Sequence, residues 1–240
     1  MSGKTALLLG ATGNTGSSLL LELLASPAFT KIGEYGRRIT PSDTLPLPGR
    51  EKLQQHIIDF ENLAGAGLEQ EKWDVVFVTL GTTRKLAGSA QDFQRIDRDY
   101  VVNAAKHARD PSSTEQRLIY VSAAGANPRS SLLYPRTKGE TEHALSQLGY
   151  GETIVFRPAM LQGAVRKEPR PAEAVAGAIV GALSWVWDGA AIHVKDLAKA
   201  MRIAGQVGAE GLPKQARATK VDGFTVVGNG GALALSNMDL

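Results

Sequence analysis

The chain has no cysteine among its 240 residues. That excludes a disulfide, a thiol nucleophile and a thiolate metal site. Imidazole is scarce as well: His56, His107, His143 and His193 are the four histidines, none at metal-motif spacing, so a catalytic metal is not expected. No run of Lys or Arg exceeds two and the net charge is only +3, which leaves no footprint for nucleic acid. Long apolar runs are also missing. The longest, Ala174 to Trp187 (AVAGAIVGALSWVW), falls short of the about 20 residues a spanning helix needs. It reads as a buried helix, with a membrane-surface element ending in Trp185 and Trp187 as the alternative. The first apolar run begins within a few residues of Met1, which leaves no room for a cleavable leader there.

What is present has the composition of a soluble globular protein, 43% hydrophobic and 21% charged, of a size that suits one α/β domain. Strand-length apolar runs fall near Thr5–Leu9, Ile32–Tyr35, Leu53–Ile58, Val75–Leu80, Leu118–Val121, Thr153–Phe156 and Ala191–Val194. Helical patterns fit Thr15–Ala25, Ala90–Ala108, Pro135–Leu148, Ala172–Trp187 and Lys195–Val207. The alternation predicts an α/β fold, a doubly wound parallel sheet of Rossmann-like type covered by helices on both faces. Thr40 to Pro48, with three prolines, is a loop, and Phe224-Thr225-Val226-Val227 can add a late strand. No linker separates a second domain. Residues 1–157 form the expected core, and residues 158–240 a small lobe that covers the substrate.

Lys4 to Leu24 read KTALLLGATGNTGSSLLLELL: an apolar strand, glycines at three-residue steps, then a leucine-rich helix. This is a dinucleotide-binding turn in the right context. Gly10 permits a tight strand exit, Gly13 lets the backbone approach a pyrophosphate at the helix N-terminus, and Gly16 allows close packing. The second strand is followed by Gly36-Arg37-Arg38, with no acid at its tip. Two guanidiniums there suit the 2′-phosphate of NADP, where an acid would grip the ribose hydroxyl of NAD. Glu34 lies within the strand and is expected to point elsewhere. Asp59 either accepts from the adenine amine, with Phe60 packed nearby, or caps the next helix. Leu80-Gly81 ends the fourth strand, where a small residue lets backbone approach a ligand.

The fifth strand ends in Ser122, and Tyr134-Pro135-Arg136-Thr137-Lys138 follows twelve residues later. Pro135 suits a first helical turn, so Tyr134 and Lys138 share one helical face. A phenol with a pKa near 10 is a poor acid or base at neutral pH unless its anion is stabilised, which a nearby ammonium does. Ser122 can hydrogen-bond a substrate oxygen and hold it near Tyr134. Asp97, Arg98 and Asp99 read as a structural polar helix start, Asn103 as a candidate for a proton relay, and His193 as a surface histidine.

Together GATGNTG, Ser122 and Tyr134-x-x-x-Lys138 resemble the short-chain dehydrogenase/reductase superfamily. LGTTR at Leu80–Arg84, RIDRDYVVNAAKHA at Arg95–Ala108, YPRTKGETE at Tyr134–Glu142 and VFRPAML at Val155–Leu161 narrow it. These resemble the atypical Tat-interacting-protein oxidoreductase family, which includes a fungal mitochondrial outer-membrane protein. The resemblance implies a Rossmann fold binding NADPH, with Thr12, Gly13, Asn14 and Thr15 at the phosphate turn and Arg37 and Arg38 at the 2′-phosphate. It also places Leu80 and Gly81 along the cofactor, Leu161 near its nicotinamide end, Arg170 beside them, and Arg157-Pro158 at the nicotinamide pocket. The expected activity is hydride exchange with a small carbonyl or alcohol substrate, Tyr134 and Lys138 serving as the acid–base pair. Two alternatives stay open: an NADPH-binding regulator that meets a protein partner with little turnover, and peripheral contact with the cytoplasmic side of the mitochondrial outer membrane.

Overall fold

The computed structural model describes residues 3–163 and 191–238. The elements run β1 (Lys4–Leu9), α1 (Asn14–Ala25), β2 (Phe29–Gly36), β3 (Leu53–Ile57), β4 (Val75–Val78), α2 (Arg84–Ala87) and α3 (Ala90–Gln94). A π-helical turn (Arg95–Asp99) leads into α4 (Tyr100–His107), then β5 (Arg117–Val121), α5 (Leu133–Ser146), β6 (Glu152–Arg157) and β7 (Met160–Gln162). Beyond the undescribed stretch come β8 (Ala191–His193), α6 (Val194–Val207), β9 (Thr219–Val221), β10 (Phe224–Gly228) and α7 (Asn229–Ser236).

Eight strands form one sheet in the order β3-β2-β1-β4-β5-β6-β10-β9, parallel throughout except where β9 runs against β10. β7 and β8 pair separately, in parallel. The apolar strands explain the layering. In β1, Ala6 and Leu8 join Leu19, Leu20 and Leu23 of α1 and Leu197 and Met201 of α6. The alternate residues, Leu7 and Leu9, join Val101 and Ala104 of α4 and Leu145 of α5 on the other face. Each such leucine, removed wholly from water, contributes about 1.5–3 kcal/mol, so both faces of the strand demand cover. Arg202 of α6 reaches Glu22 of α1 at 3.2 Å and ties the two helices of one layer together.

Strand order turns outward in both directions from β1 and β4. The chain leaves β1 for β2 on one side and reaches β4 on the other, so a crevice opens at the carboxyl ends of these strands. The helix expected over Ala90–Ala108 is broken into α3, the π turn and α4. The widened turn carries the charged run RIDRD and buries Asp97, while Arg95 is exposed. The short elements α2, β7, β9 and α7 had no periodicity long enough to read. Asn229-Gly230-Gly231 looks like a turn signal, yet it opens α7, whose Ala232 and Leu235 are buried in the core. The helix expected at Ala172–Trp187 lies outside the described residues.

Candidate active site at the carboxyl edge of the sheet

The chain leaves β1 at Gly10, whose φ of +95° only glycine adopts without strain. Gly13 N–H donates to Gly10 O at 3.0 Å, and the Thr79 hydroxyl beyond β4 donates to Leu9 O and Gly10 O at 3.0 and 3.1 Å. The turn is thus stapled to the neighbouring strand. A Cβ on Gly16 would lie 2.0 Å from Gly10 O and 2.6 Å from the Thr79 hydroxyl, so α1 packs here without a side chain. Gly13 caps α1 without a side-chain bond, and no acid occupies the first turn. The helix amides therefore face outward with their partial positive charge uncompensated. Thr12, Gly13 and Asn14 are exposed at this end, while Thr15 and Gly16 are buried. The cradle fits the pyrophosphate of a dinucleotide.

Arg37 and Arg38 are exposed just past β2. Glu34, the acid within β2, is buried and engaged elsewhere. One carboxylate oxygen accepts from the N–H and hydroxyl of Thr40, both at 2.8 Å. The other accepts from Gln55 Nε2 at 2.8 Å, and Gln55 also donates to Thr40 O at 2.7 Å. This network closes the turn that carries the two arginines. Asp59 accepts from Glu61 N–H at 3.0 Å and so closes a tight turn; no α-helix follows it for Asp59 to cap. Phe60 is buried and stacks on Tyr100 with ring centres 5.5 Å apart. Arg37 lies within electrostatic reach of the Tyr100 phenol.

Around α5 the two motif residues have different surroundings. Tyr134, in the first turn, is 46% exposed, with its ring 5.9 Å from that of Phe93. Lys138, one turn on, is buried. Its ammonium stands 2.8 Å from the carboxylate of Asp97 and 3.1 Å from the Tyr120 hydroxyl of β5. The other Asp97 oxygen accepts from Thr82 N–H at 2.6 Å. Desolvation works against the Lys138 charge, but its coupling to Tyr120, Asp97 and Tyr134 reverses this and holds the ammonium above the ordinary lysine range. Burial pushes the Tyr120 phenol up to about 12, with Lys138 pulling the other way.

Ser122 is buried at the end of β5, anchored by its N–H to Phe156 O at 2.8 Å. Its hydroxyl has no hydrogen-bond partner among the described residues. Gly81 sits on the cluster: a Cβ there would be 3.4 Å from Asp97 Oδ1 and 3.6 Å from Lys138 Nζ. Leu80 and Leu161 are partly buried, and Arg170 lies outside the described residues. Arg157 grips the buried carboxylate of Glu142 through two nitrogens, at 2.9 and 2.5 Å, and fixes α5 to β6.

The burial of Asp97 beside Lys138 is what sequence reasoning did not place. A signal was available: Phe93, Asp97 and Val101 stand four apart, so the carboxylate falls on a face that is otherwise core. Asn103 is exposed on α4, away from that face. His193 accepts from Lys195 N–H at 3.2 Å as the cap of α6. Two clefts, of about 430 and 270 Å³, lie at the opposite, amino edge of the sheet. Lined by residues such as Glu69, Lys106 and His107, or Glu22 and Arg202, they are remote from this chemistry.

No family model matches the chain. It is 37% identical over 202 residues to Protein HTATIP2 of Rattus norvegicus, covering 84% of this chain and 81% of that protein. It is 36% identical over 180 residues to the mitochondrial protein fmp52 of Emericella nidulans, covering 75% and 76%. Among solved structures, a short-chain dehydrogenase/reductase from Saccharomyces cerevisiae superposes with a TM-score of 0.65 at 14% identity, over 95% of this chain and 96% of that one. The Bordetella bronchiseptica enzyme WbmH, solved in complex with NAD+, superposes at 0.58 and 19% identity, over 86% and 73%. On a fold of the short-chain dehydrogenase/reductase type, the chain belongs to the family of HTATIP2 and the fungal mitochondrial fmp52 proteins.

Proposed function

We propose that this protein is an NADPH-dependent oxidoreductase that exchanges hydride with a small carbonyl or alcohol substrate. One observation carries the reading: the uncapped start of α1 and the buried Lys138 ammonium, one turn from Tyr134, lie at the same edge of one sheet. The α1 amides and Gly13 would hold the pyrophosphate. Exposed Arg37 and Arg38, with Glu34 occupied by Thr40 and Gln55, favour a 2′-phosphate over a ribose hydroxyl. The NAD+ bound by WbmH supports a dinucleotide here. When bound, the cofactor supplies or takes up the hydride. Tyr134 gives its phenolic proton to the carbonyl oxygen, or removes it from the alcohol. The Ser122 hydroxyl donates to that oxygen and orients it, with the Lys138 ammonium held one helical turn beyond Tyr134.

NADPH consumption across a panel of carbonyl compounds tests the assignment. Tyr134→Phe should lower turnover by about 100-fold or more, as removal of a general acid does. Equal consumption by both proteins would remove Tyr134 from the chemistry.

A second reading, for which the relatives named mitochondrial support only the location, is an NADPH-binding regulator, peripheral on the cytoplasmic side of the mitochondrial outer membrane, that meets a protein partner. No helix among the described residues is long and apolar enough to cross a membrane. Recovery with anionic liposomes on flotation would support the membrane contact, and full recovery in the soluble fraction would oppose it. Partner affinity indifferent to NADPH would oppose the regulatory role.

A further inference from the structure

We infer that Asp97 is a positioning residue of this site: its carboxylate fixes the Lys138 ammonium and couples it to the loop that follows β4. The inference rests on the reading of the carboxyl edge as a dinucleotide site. Asp97 is wholly buried, and each oxygen has its own task. One faces Lys138 Nζ at 2.8 Å and the other takes Thr82 N–H at 2.6 Å. A single side chain thereby joins the β4 loop, the π turn and α5, with Tyr120 of β5 closing the cluster at 3.1 Å from the ammonium.

The π turn is the local device. It interrupts the helix between α3 and α4 where the carboxylate is buried, and such single widened turns recur at functional sites. A buried ammonium left alone would lose its proton or move toward water; paired with Asp97 it stays charged and stays in place. An ammonium has three N–H donors. The ammonium donates to the Tyr120 hydroxyl and meets Asp97 Oδ2 as an ion pair at 2.8 Å. Gly81, with space for a Cβ only 3.6 Å from Lys138 Nζ, keeps side-chain bulk away from that point. Asp97 thus acts on a bound dinucleotide through Lys138 and through the Thr82 loop, without touching it.

Among the described residues, the charged and titratable groups facing Lys138 are Asp97 from the π turn, Tyr120 from β5 and Tyr134 from α5. Glu142 of α5 acts on Tyr120 and is itself paired with Arg157.

Asp97→Asn tests the inference with two readouts. The first, in cofactor-free protein, is the carbon-13 titration of the Lys138 side chain, assigned by its loss in Lys138→Met. The wild-type signal should remain that of the ammonium above the ordinary lysine range, and in Asp97→Asn it should titrate at lower pH. The second is the NADPH dissociation constant by fluorescence, expected to rise by roughly tenfold, the worth of about 1.4 kcal/mol. An unchanged lysine titration, or a shifted one with unchanged NADPH affinity, overturns the inference. Asp97→Glu keeps the charge and displaces it, and serves if the Asn variant does not fold. Lys138 should then stay charged while NADPH binds several-fold more weakly, and wild-type affinity in this variant overturns the inference. If the wild-type protein binds no NADPH, the oxidoreductase reading falls instead, and the lysine titration alone decides whether Asp97 holds Lys138.

Discussion

Tyr134 and Lys138 are separated by one helical turn and by a large difference in environment. The phenol is half-exposed, where a substrate can reach it, and the ammonium is buried against Asp97 and Tyr120. That division suits a proton donor served by a fixed charge. The same economy of space governs the glycine turn, where α1 and β1 meet with no room for a methyl group at Gly16. Gly16→Ala should destabilise the fold by about 1–3 kcal/mol, the usual cost of overpacking. It should also abolish NADPH binding, because Gly10 and Thr79 must give way. Thermal unfolding and fluorescence titration check both, and wild-type affinity in this variant would show that the turn is not the phosphate cradle.

At the scale of elements, β2 and its following turn act as one unit. Glu34 is held by Thr40 and Gln55, so the strand's carboxylate braces the turn. Loosening the brace should weaken selection without removing the arginines. Glu34→Gln is expected to reduce the NADPH-over-NADH affinity ratio by several-fold, and Arg37→Ala by roughly tenfold, a loss of about 1.4 kcal/mol. Calorimetric titration with both cofactors measures the ratio. A preference for NADPH that survives Arg37→Ala would place the 2′-phosphate elsewhere. α5 is another such unit: Arg157 holds its Glu142, Asp97 holds its Lys138, and Tyr134 is left at the free end.

For the whole molecule, the buried titrating groups set a limit on the alkaline side. Tyr120 is raised to about 12, and Tyr150 and Lys138 are raised above their ordinary values, the tyrosines chiefly by burial. Each holds its proton more tightly folded than unfolded. Their contribution is complete below the unfolded values, near 10 for tyrosine and 10.4 for lysine, and is lost as pH rises through the folded ones. Denaturant midpoints should therefore be level up to about pH 9.5 and fall beyond pH 10. Tyr120→Phe should flatten part of that fall. A midpoint constant across the alkaline range would mean these groups titrate in the folded protein as they do in water.

The local chemistry of the chain was written in its sequence. The apolar runs and the glycine steps point to the parallel α/β sheet and its turn, and the positions of Arg37, Arg38, Tyr134 and Lys138 are read directly from the chain, because each depends on neighbours within a few residues. Gly10, Gly16 and the strand β1 are legible for that reason. Contacts between distant segments were not. Asp97 meets Lys138 from 41 positions away and Thr82 from 15, and only the packing of α5 against the π turn brings them together. Glu34 reads as a strand acid until Gln55 is seen beside it. Sequence determined which charges and phenols the site holds. Tertiary structure decided which of them are buried together, and burial fixes which charge must be paired and which side chain stays free to meet a ligand.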